Sequence, residues 1–148
     1  MRGVVQSFRA QAEAQAKELL KAIEAAEAVI VSTIERECEA LRAGQMLAAN
    51  ALRLRLRDAA KLYLNVTRAT RASIWTIEQL LPGTHRHLHE CRAAFAALLR
   101  VELAVLAAER AAAANELRFA GSGKLRAVPM VTPGRSVRRR RLHARKAG

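Results

Sequence analysis

Apolar residues recur at helical spacing along the first forty residues of the chain. Between residues 4 and 43 the apolar positions are separated by steps of three or four. The members of this stripe are Leu19, Ile23, Ala26, Ile30, Ile34, Cys38 and Leu41. Such spacing is typical of a long helix that buries one face against a neighbour.

The next stretch, residues 45–81, has a heptad repeat. Its apolar positions are separated by alternating steps of four and three residues, which is the spacing of left-handed coiled-coil packing. The positions are Leu52, Leu56, Ala59, Tyr63, Val66, Thr70, Ser73, Ile77 and Leu80. Thr70 and Ser73 are the polar members, and we expect the seam to be weaker there.

The third stretch, residues 84–120, has a wider apolar face than the first two. That face comprises Leu88, Cys91, Phe95, Leu98, Leu99, Leu103, Leu106, Ala113 and Leu117.

Glycine and proline separate these stretches. Gly44 is placed to form a left-handed C-terminal cap, Pro82 and Gly83 end the second helix, and Thr84 is a candidate N-cap for the third. We therefore predict an all-α fold, an elongated antiparallel bundle of three long helices with coiled-coil-like packing. The predicted helices are 7–43, 45–81 and 84–120, and residues 1–120 form the bundle.

Composition supports the helical prediction and excludes other classes. The chain has 51% apolar but only 3% aromatic residues, and 32 Ala and 19 Leu account for most of the apolar content. No apolar run reaches the roughly 18 residues of a membrane span, and we expect residues 1–7 not to be a secretory signal. Two cysteines are too few for a disulfide scaffold, so we expect a cytoplasmic protein.

Charge is distributed unevenly along the chain. The formal net charge is +13, of which residues 121–148 carry +9 and no acidic residue. We predict that this segment is a disordered basic tail that attracts nucleic acid, acidic lipid or an acidic protein face. A solubilising arm with no fixed partner is the alternative. The Arg-rich part of the segment contains Arg135, Arg138, Arg139, Arg140, Arg141, Arg145 and Lys146.

Few residues suggest catalysis or metal binding. His85 and His89 share one helix face and His87 and Cys91 share another, so each pair could hold zinc, but no second pair completes a four-ligand site. Three His at the start of a helix are more typical of a solvated helix end. We expect no enzyme activity and no cofactor.

The other residues of note are read as packing residues. Cys38 and Cys91 lie on apolar stripes and are expected to be free thiols that pack as small hydrophobes. Tyr63 and Trp75 are expected to pack in the bundle, because a nucleic-acid stacking platform would need more aromatics.

Residues 35–44, followed by an Ala/Leu-rich stretch and residues 58–63, resemble the FlgN-like flagellar export chaperones. The chain has the long first helix, the acidic segment ending in Leu-Arg-Ala-Gly, and the Lys- and Leu-containing second helix of that family. The resemblance covers residues 15–120. It implies a bacterial cytoplasmic chaperone that binds the amphipathic terminal helix of hook–filament junction proteins and delivers them to the type III export gate.

The resemblance also implies that the client binds the C-terminal part of the chaperone. The residues of the third helix that match this expectation are Leu99, Leu103, Leu106, Leu117 and Phe119. Burial inside the bundle is the alternative for Leu99 and Leu103. The Arg-rich tail departs from the family pattern.

Two other functions stay open from the sequence. One is a nucleic-acid-associated helical protein that binds through the tail, and the other is an amphipathic protein of a granule or lipid surface. Exposed Leu residues on a long bundle also fit a homodimer.

Overall fold

The computed structural model of this chain is built from three long helices. They are α1 (Arg2–Arg42), α2 (Met46–Leu80) and α3 (Thr84–Lys146). The structure describes residues 1–146, and their side chains as far as Gly121. The predicted all-α fold of three long helices packed together is confirmed.

The C-terminal end of α3 differs from the boundary predicted between the bundle and the tail. The chain divides into two compact units, Met1–Glu109 and Arg110–Gly148, and the helix packing below belongs to the first. Gly121 is still helical, so α3 does not end at residue 120 as the sequence suggested. The predicted disordered basic tail comprises residues 121–148, and the side chains of residues 122–148 lie outside those that the structure describes.

The turn between α1 and α2 is closed by Gly44, as predicted. Gly44 has a φ of +70°, in the left-handed region where glycine carries no Cβ penalty. The N–H of Gln45 donates to the carbonyl of Ala40 at 2.9 Å, and the N–H of Gly44 donates to that of Leu41 at 3.1 Å. These two bonds form a Schellman motif, which reverses the chain in three residues.

The turn between α2 and α3 is closed by a side chain that the sequence did not indicate. The two oxygens of the Glu78 carboxylate accept hydrogen bonds from the N–H groups of Gly83 and His85, each at 2.9 Å. The predicted N-cap, Thr84, instead donates its hydroxyl to the carbonyl of Leu81 at 2.8 Å. The prediction for Thr84 is therefore wrong, because Glu78 reaches across the turn from the last α2 turn.

Contacts between side chains fix the directions of the helices. They are Glu37–Arg53 (3.7 Å between Oε1 and Nε), Tyr63–Phe95 (5.3 Å between ring centroids) and Arg42–Glu109 (2.7 Å between Nε and Oε1). The first pair joins the end of α1 to the start of α2, and the second joins α2 to α3. With its two short turns, α2 therefore runs antiparallel to α1 and to residues 84–109 of α3, so that this part of α3 runs parallel to α1.

The predicted stripes of α1 and α2 form the core. Every α1 position from Ile23 to Leu41 of the stripe is buried, and in α2 only Leu80 of the nine heptad positions is exposed. The polar heptad member Thr70 is buried, and its hydroxyl donates to the Val66 carbonyl at 2.8 Å. Its polarity is thus satisfied within the helix.

The two large aromatics of α2 have different environments. Tyr63 is half-buried against Phe95, which confirms its predicted packing role. Trp75 is 72% exposed, so the same prediction is wrong for it. It lies two residues before the fully buried Ile77, and this spacing places it on the opposite side of the helix.

Candidate helix-binding groove

A stripe of apolar side chains on α3 faces away from the core. Its members are Ala94, Leu98, Val101, Val105 and Ala108, separated by steps of four and three residues. Leu98 is 47% exposed, Val101 61% and Val105 41%. We call these five residues the outer stripe. Their heptad spacing matches that of a seam that accepts a second helix.

The outer stripe is continuous with a groove between α1 and α3. The groove has a volume of about 340 Å³. Its walls are Leu20, Ile23, Glu24 and Glu27 of α1 and Leu88, Cys91, Arg92, Ala94, Phe95 and Leu98 of α3. Because Ala94 and Leu98 belong to both, one helix lying along the outer stripe would also cover this groove.

Glu27 is the unusual polar residue of the groove. Its Oε1 is buried and accepts no hydrogen bond from the described residues. Burial raises the pKa of the Glu27 carboxyl above its ordinary value of 4.5, and the charge of Glu24 raises it further. An unpaired buried acceptor costs free energy, and a donor from a docked partner would remove that cost.

The structure separates the predicted client-binding residues into inner and outer positions. Leu106 is 1% exposed and belongs to the core, Leu99 is half-buried, and Leu103 is 44% exposed at the edge. Leu117 and Phe119 are exposed, at 57% and 79%, in the second unit. The side chains of the basic tail lie outside the described residues.

The exposed stripe on α3 is therefore displaced around the helix from the predicted one. The wide apolar face predicted for the third helix includes Leu98 but neither Val101 nor Val105. The heptad steps from Ala94 to Ala108 are the signal that could have found them. Alanine surrounds both stripes, so periodicity alone does not indicate which one faces inward.

The His/Cys cluster at the start of α3 divides between two sides of the helix. His87 Nε2 lies 3.8 Å from Cys91 Sγ, whereas His85 and His89 line a cavity that includes Arg71. Within residues 1–121, no group of three His, Cys, Asp or Glu side chains is placed to hold a metal ion.

Both cysteines are free thiols. Cys38 is buried and Cys91 is half-buried. The pKa of the Cys38 thiol is raised mainly by burial, which Arg42 partly opposes. Their predicted role as small apolar residues of the helix stripes agrees with these positions.

Comparisons with known proteins give no relative. No protein family, curated protein or solved structure matches the chain. Among the described residues, no helix is long and apolar enough to span a membrane.

Proposed function

We propose that this protein is a non-catalytic chaperone that holds the amphipathic helix of a client protein against α3. The observation that carries the proposal is the outer stripe, an exposed heptad seam continuous with the α1–α3 groove. A helix lying in a groove is a common mode of peptide recognition, with anchor residues at the same spacing on the bound helix.

The residues of the groove and of the outer stripe indicate which properties the client helix should have. Leu98, Val101 and Val105 call for an apolar face on the client. Oε1 of Glu27 accepts no hydrogen bond from the described residues, and Glu24 lies in the same groove. These two carboxylates favour a Lys, Arg or amide donor at the flank of the client's apolar face. The client segment is therefore an amphipathic helix with a basic edge.

The available apolar area suits a complex that can be released. Full burial of a Val or Leu side chain contributes about 1.5–3 kcal/mol, and the three outer side chains are each about half covered already. Their further burial contributes about 3 kcal/mol in total, before the cost of association. Tight binding would require additional contacts, and a chaperone that hands over its client needs only a moderate affinity.

The resemblance of the sequence to the FlgN-like chaperones is the basis for the proposed client class. On this basis the clients are hook–filament junction proteins, which the chaperone keeps unassembled in the bacterial cytoplasm and delivers to the flagellar type III secretion apparatus. The outer stripe then takes the place of the predicted inner residues Leu99 and Leu106 as the client-binding face.

Co-purification from a motile source tests this proposal. Wild-type protein is expected to recover a hook–filament junction protein, and Leu98→Asp/Val101→Asp is expected to lose it. Leu47→Asp is the matched control, since Leu47 is 87% exposed on α2, and it should recover the client normally. Recovery of no flagellar protein by the wild type would contradict the proposed function.

Nucleic-acid binding through the Arg-rich tail is the second candidate. The specific observation is the run of four arginines from Arg138 to Arg141 in a segment without acidic residues. If this candidate is correct, DNA binding at low salt weakens steeply with added salt and disappears when residues 121–148 are removed. Absence of DNA binding by the full chain at low salt would eliminate it.

A further inference from the structure

A second cavity lies among the three helices near the turn between α2 and α3. Its volume is about 220 Å³. Its basic lining residues are Arg71, His85, His89 and Arg92, and its other lining residues are Ile23, Thr67, Thr70, Ile74 and Leu88. We call it the basic cavity. No acidic residue lines it among the residues whose side chains are described.

The basic side chains come from two helices and meet at one opening. Arg71 belongs to α2, whereas His85, His89 and Arg92 follow one another on α3 at steps of four and three residues. Neither Arg71 nor Arg92 takes part in an ion pair among the described residues. Two unpaired guanidinium groups together are a favourable place for an anion.

The carboxylates of Glu24, Glu27 and Glu78 are not among the lining residues of the basic cavity. Glu78 uses both oxygens to accept the N–H groups of Gly83 and His85 in the turn. Glu24 and Glu27 line the adjacent α1–α3 groove, which shares Arg92 with the basic cavity. Arg71 lines the basic cavity but not the groove that contains Glu24 and Glu27.

The remaining lining residues indicate that the ligand also has an apolar part. Ile23 and Leu88 are buried at the base of the cavity, and Ile74 is half-buried. The hydroxyls of Thr67 and Thr70 already donate to the carbonyls of residues 64 and 66. They do not offer their protons to an anion, so the guanidinium and imidazole groups must bind it.

The volume sets the size of the ligand. An apolar cavity of about 150 Å³ holds a benzene molecule. A cavity of 220 Å³ accommodates a ring of that size together with one acidic group. We propose that the basic cavity binds a small organic anion, a carboxylate or phosphate carried on a compact apolar body. This site adjoins the client groove, with which it shares Ile23, Leu88 and Arg92, and adds a small-molecule ligand to the proposed function.

Histidine NMR tests the proposal with an internal control. The chain has four His residues, and His85 and His89 line the cavity while His87 lies beside Cys91 on another side of α3. Phenyl phosphate added to the full chain is expected to shift the Hε1 resonances of His85 and His89 in a saturable manner. The His87 resonance is expected to stay in place.

Three further probes separate the parts of the ligand. Benzoate is expected to bind if the site accepts carboxylates, and its affinity relative to phenyl phosphate identifies the preferred acid group. Benzyl alcohol, which has the ring without the charge, is expected to give no saturable shift. Inorganic phosphate is expected to bind at least tenfold more weakly than phenyl phosphate, because it does not use the apolar base.

Arginine variants show whether phenyl phosphate binding depends on the basic cavity or on the overall positive charge of the protein. Arg71→Gln and Arg92→Gln are each expected to weaken phenyl phosphate binding about tenfold, the effect of losing one charge-assisted hydrogen bond. Arg68→Gln is the matched control, since Arg68 is exposed three residues before Arg71 and does not line the cavity. It should bind phenyl phosphate as the wild type does.

Three results would overturn the inference. They are unchanged His85 and His89 resonances at saturating phenyl phosphate, an equal shift of His87, and an equal loss of affinity in Arg68→Gln and Arg71→Gln. None of them concerns the client groove, and Leu98→Asp should leave phenyl phosphate binding intact. Failure of this site is thus distinguishable from failure of the proposed function.

Discussion

At the residue scale, two glutamates of the bundle have opposite electrostatic roles. Burial raises the pKa of the Glu27 carboxyl in the α1–α3 groove. Hydrogen bonds from the N–H groups of Gly83 and His85 lower the pKa of Glu78 in the turn. Linkage then requires that ionised Glu27 destabilises the free protein and that ionised Glu78 stabilises it.

Replacing Glu27 should therefore stabilise the protein. Glu27→Gln is expected to raise the melting temperature at pH 7 by one or two degrees, because it removes a carboxylate that is partly buried and has an unpaired oxygen. The difference from the wild type should disappear as the pH falls below the ordinary value of 4.5, where the carboxyl is protonated in both states. A lower melting temperature at pH 7 would contradict this role.

Replacing Glu78 should have the opposite effect. Glu78→Gln is expected to lower the melting temperature at pH 7 by a few degrees, since the charged acceptor at the start of α3 is lost. The stabilisation by wild-type Glu78 is complete above pH 4.5 and is lost as the pH falls through its lower folded-state pKa. Glu90→Gln, an exposed residue later in α3, is the control and should change little.

Glu37 is the third glutamate with a defined role. It is 0% exposed, and its Oε1 lies 3.7 Å from Nε of Arg53 on α2. Arg53→Ala is expected to lower the free energy of unfolding by about 2 kcal/mol, because it leaves a buried charge with less compensation. Chemical denaturation measures this, with Arg55→Ala as the exposed neighbour. An equally small decrease in the free energy of unfolding for Arg53→Ala and Arg55→Ala would show that the Glu37–Arg53 pair does not stabilise the fold.

At the element scale, most of the helices but not all of their contacts follow from the sequence. The stripes of α1 and α2 predict the buried faces because each alternates cleanly with charged residues, and Gly44 marks its turn. The orientation of α3 is harder to predict from the sequence, because alanines flank its larger apolar residues. By spacing alone, either of two apolar stripes could therefore face the core. The Glu78 carboxylate can reach the N–H groups of Gly83 and His85 only when the turn has formed, so no local sequence pattern predicts this cap.

The same ambiguity in α3 explains why the candidate groove could not be predicted from the sequence. A sequence pattern can show that α3 has more apolar surface than one interface needs. It does not show that Leu106 packs inward while Val101 points outward, since that choice depends on the contacts with α1 and α2. The basic cavity likewise depends on tertiary packing, which brings Arg71 of α2 beside His89 and Arg92 of α3.

Accessibility of the two cysteines tests the element packing directly. Cys38 is buried between helices with a raised thiol pKa, and Cys91 is half-buried near His87. A thiol reagent is expected to label Cys91 first, and Cys38 at a rate set by unfolding. Mass spectrometry of the labelled peptides measures both rates. Equally fast labelling of the two residues would contradict the helix packing.

At the scale of the whole molecule, the two candidate sites adjoin within the first unit. The α1–α3 groove and the basic cavity share Ile23, Leu88 and Arg92 as lining residues. The net charge of +13 has a different origin, because +9 of it belongs to residues 121–148. We therefore propose the apolar surface of the bundle as the client-binding surface and the tail as the segment for any binding of nucleic acid.

Site-specific photocrosslinking tests the central claim that the outer stripe binds the client helix. A photoreactive amino acid at Val101, in the middle of the stripe, is expected to crosslink a hook–filament junction protein in a motile bacterium. The same amino acid at Leu64, 51% exposed on α2, is the matched control and should give no client adduct. Client adducts from Leu64 and none from Val101 would contradict the account.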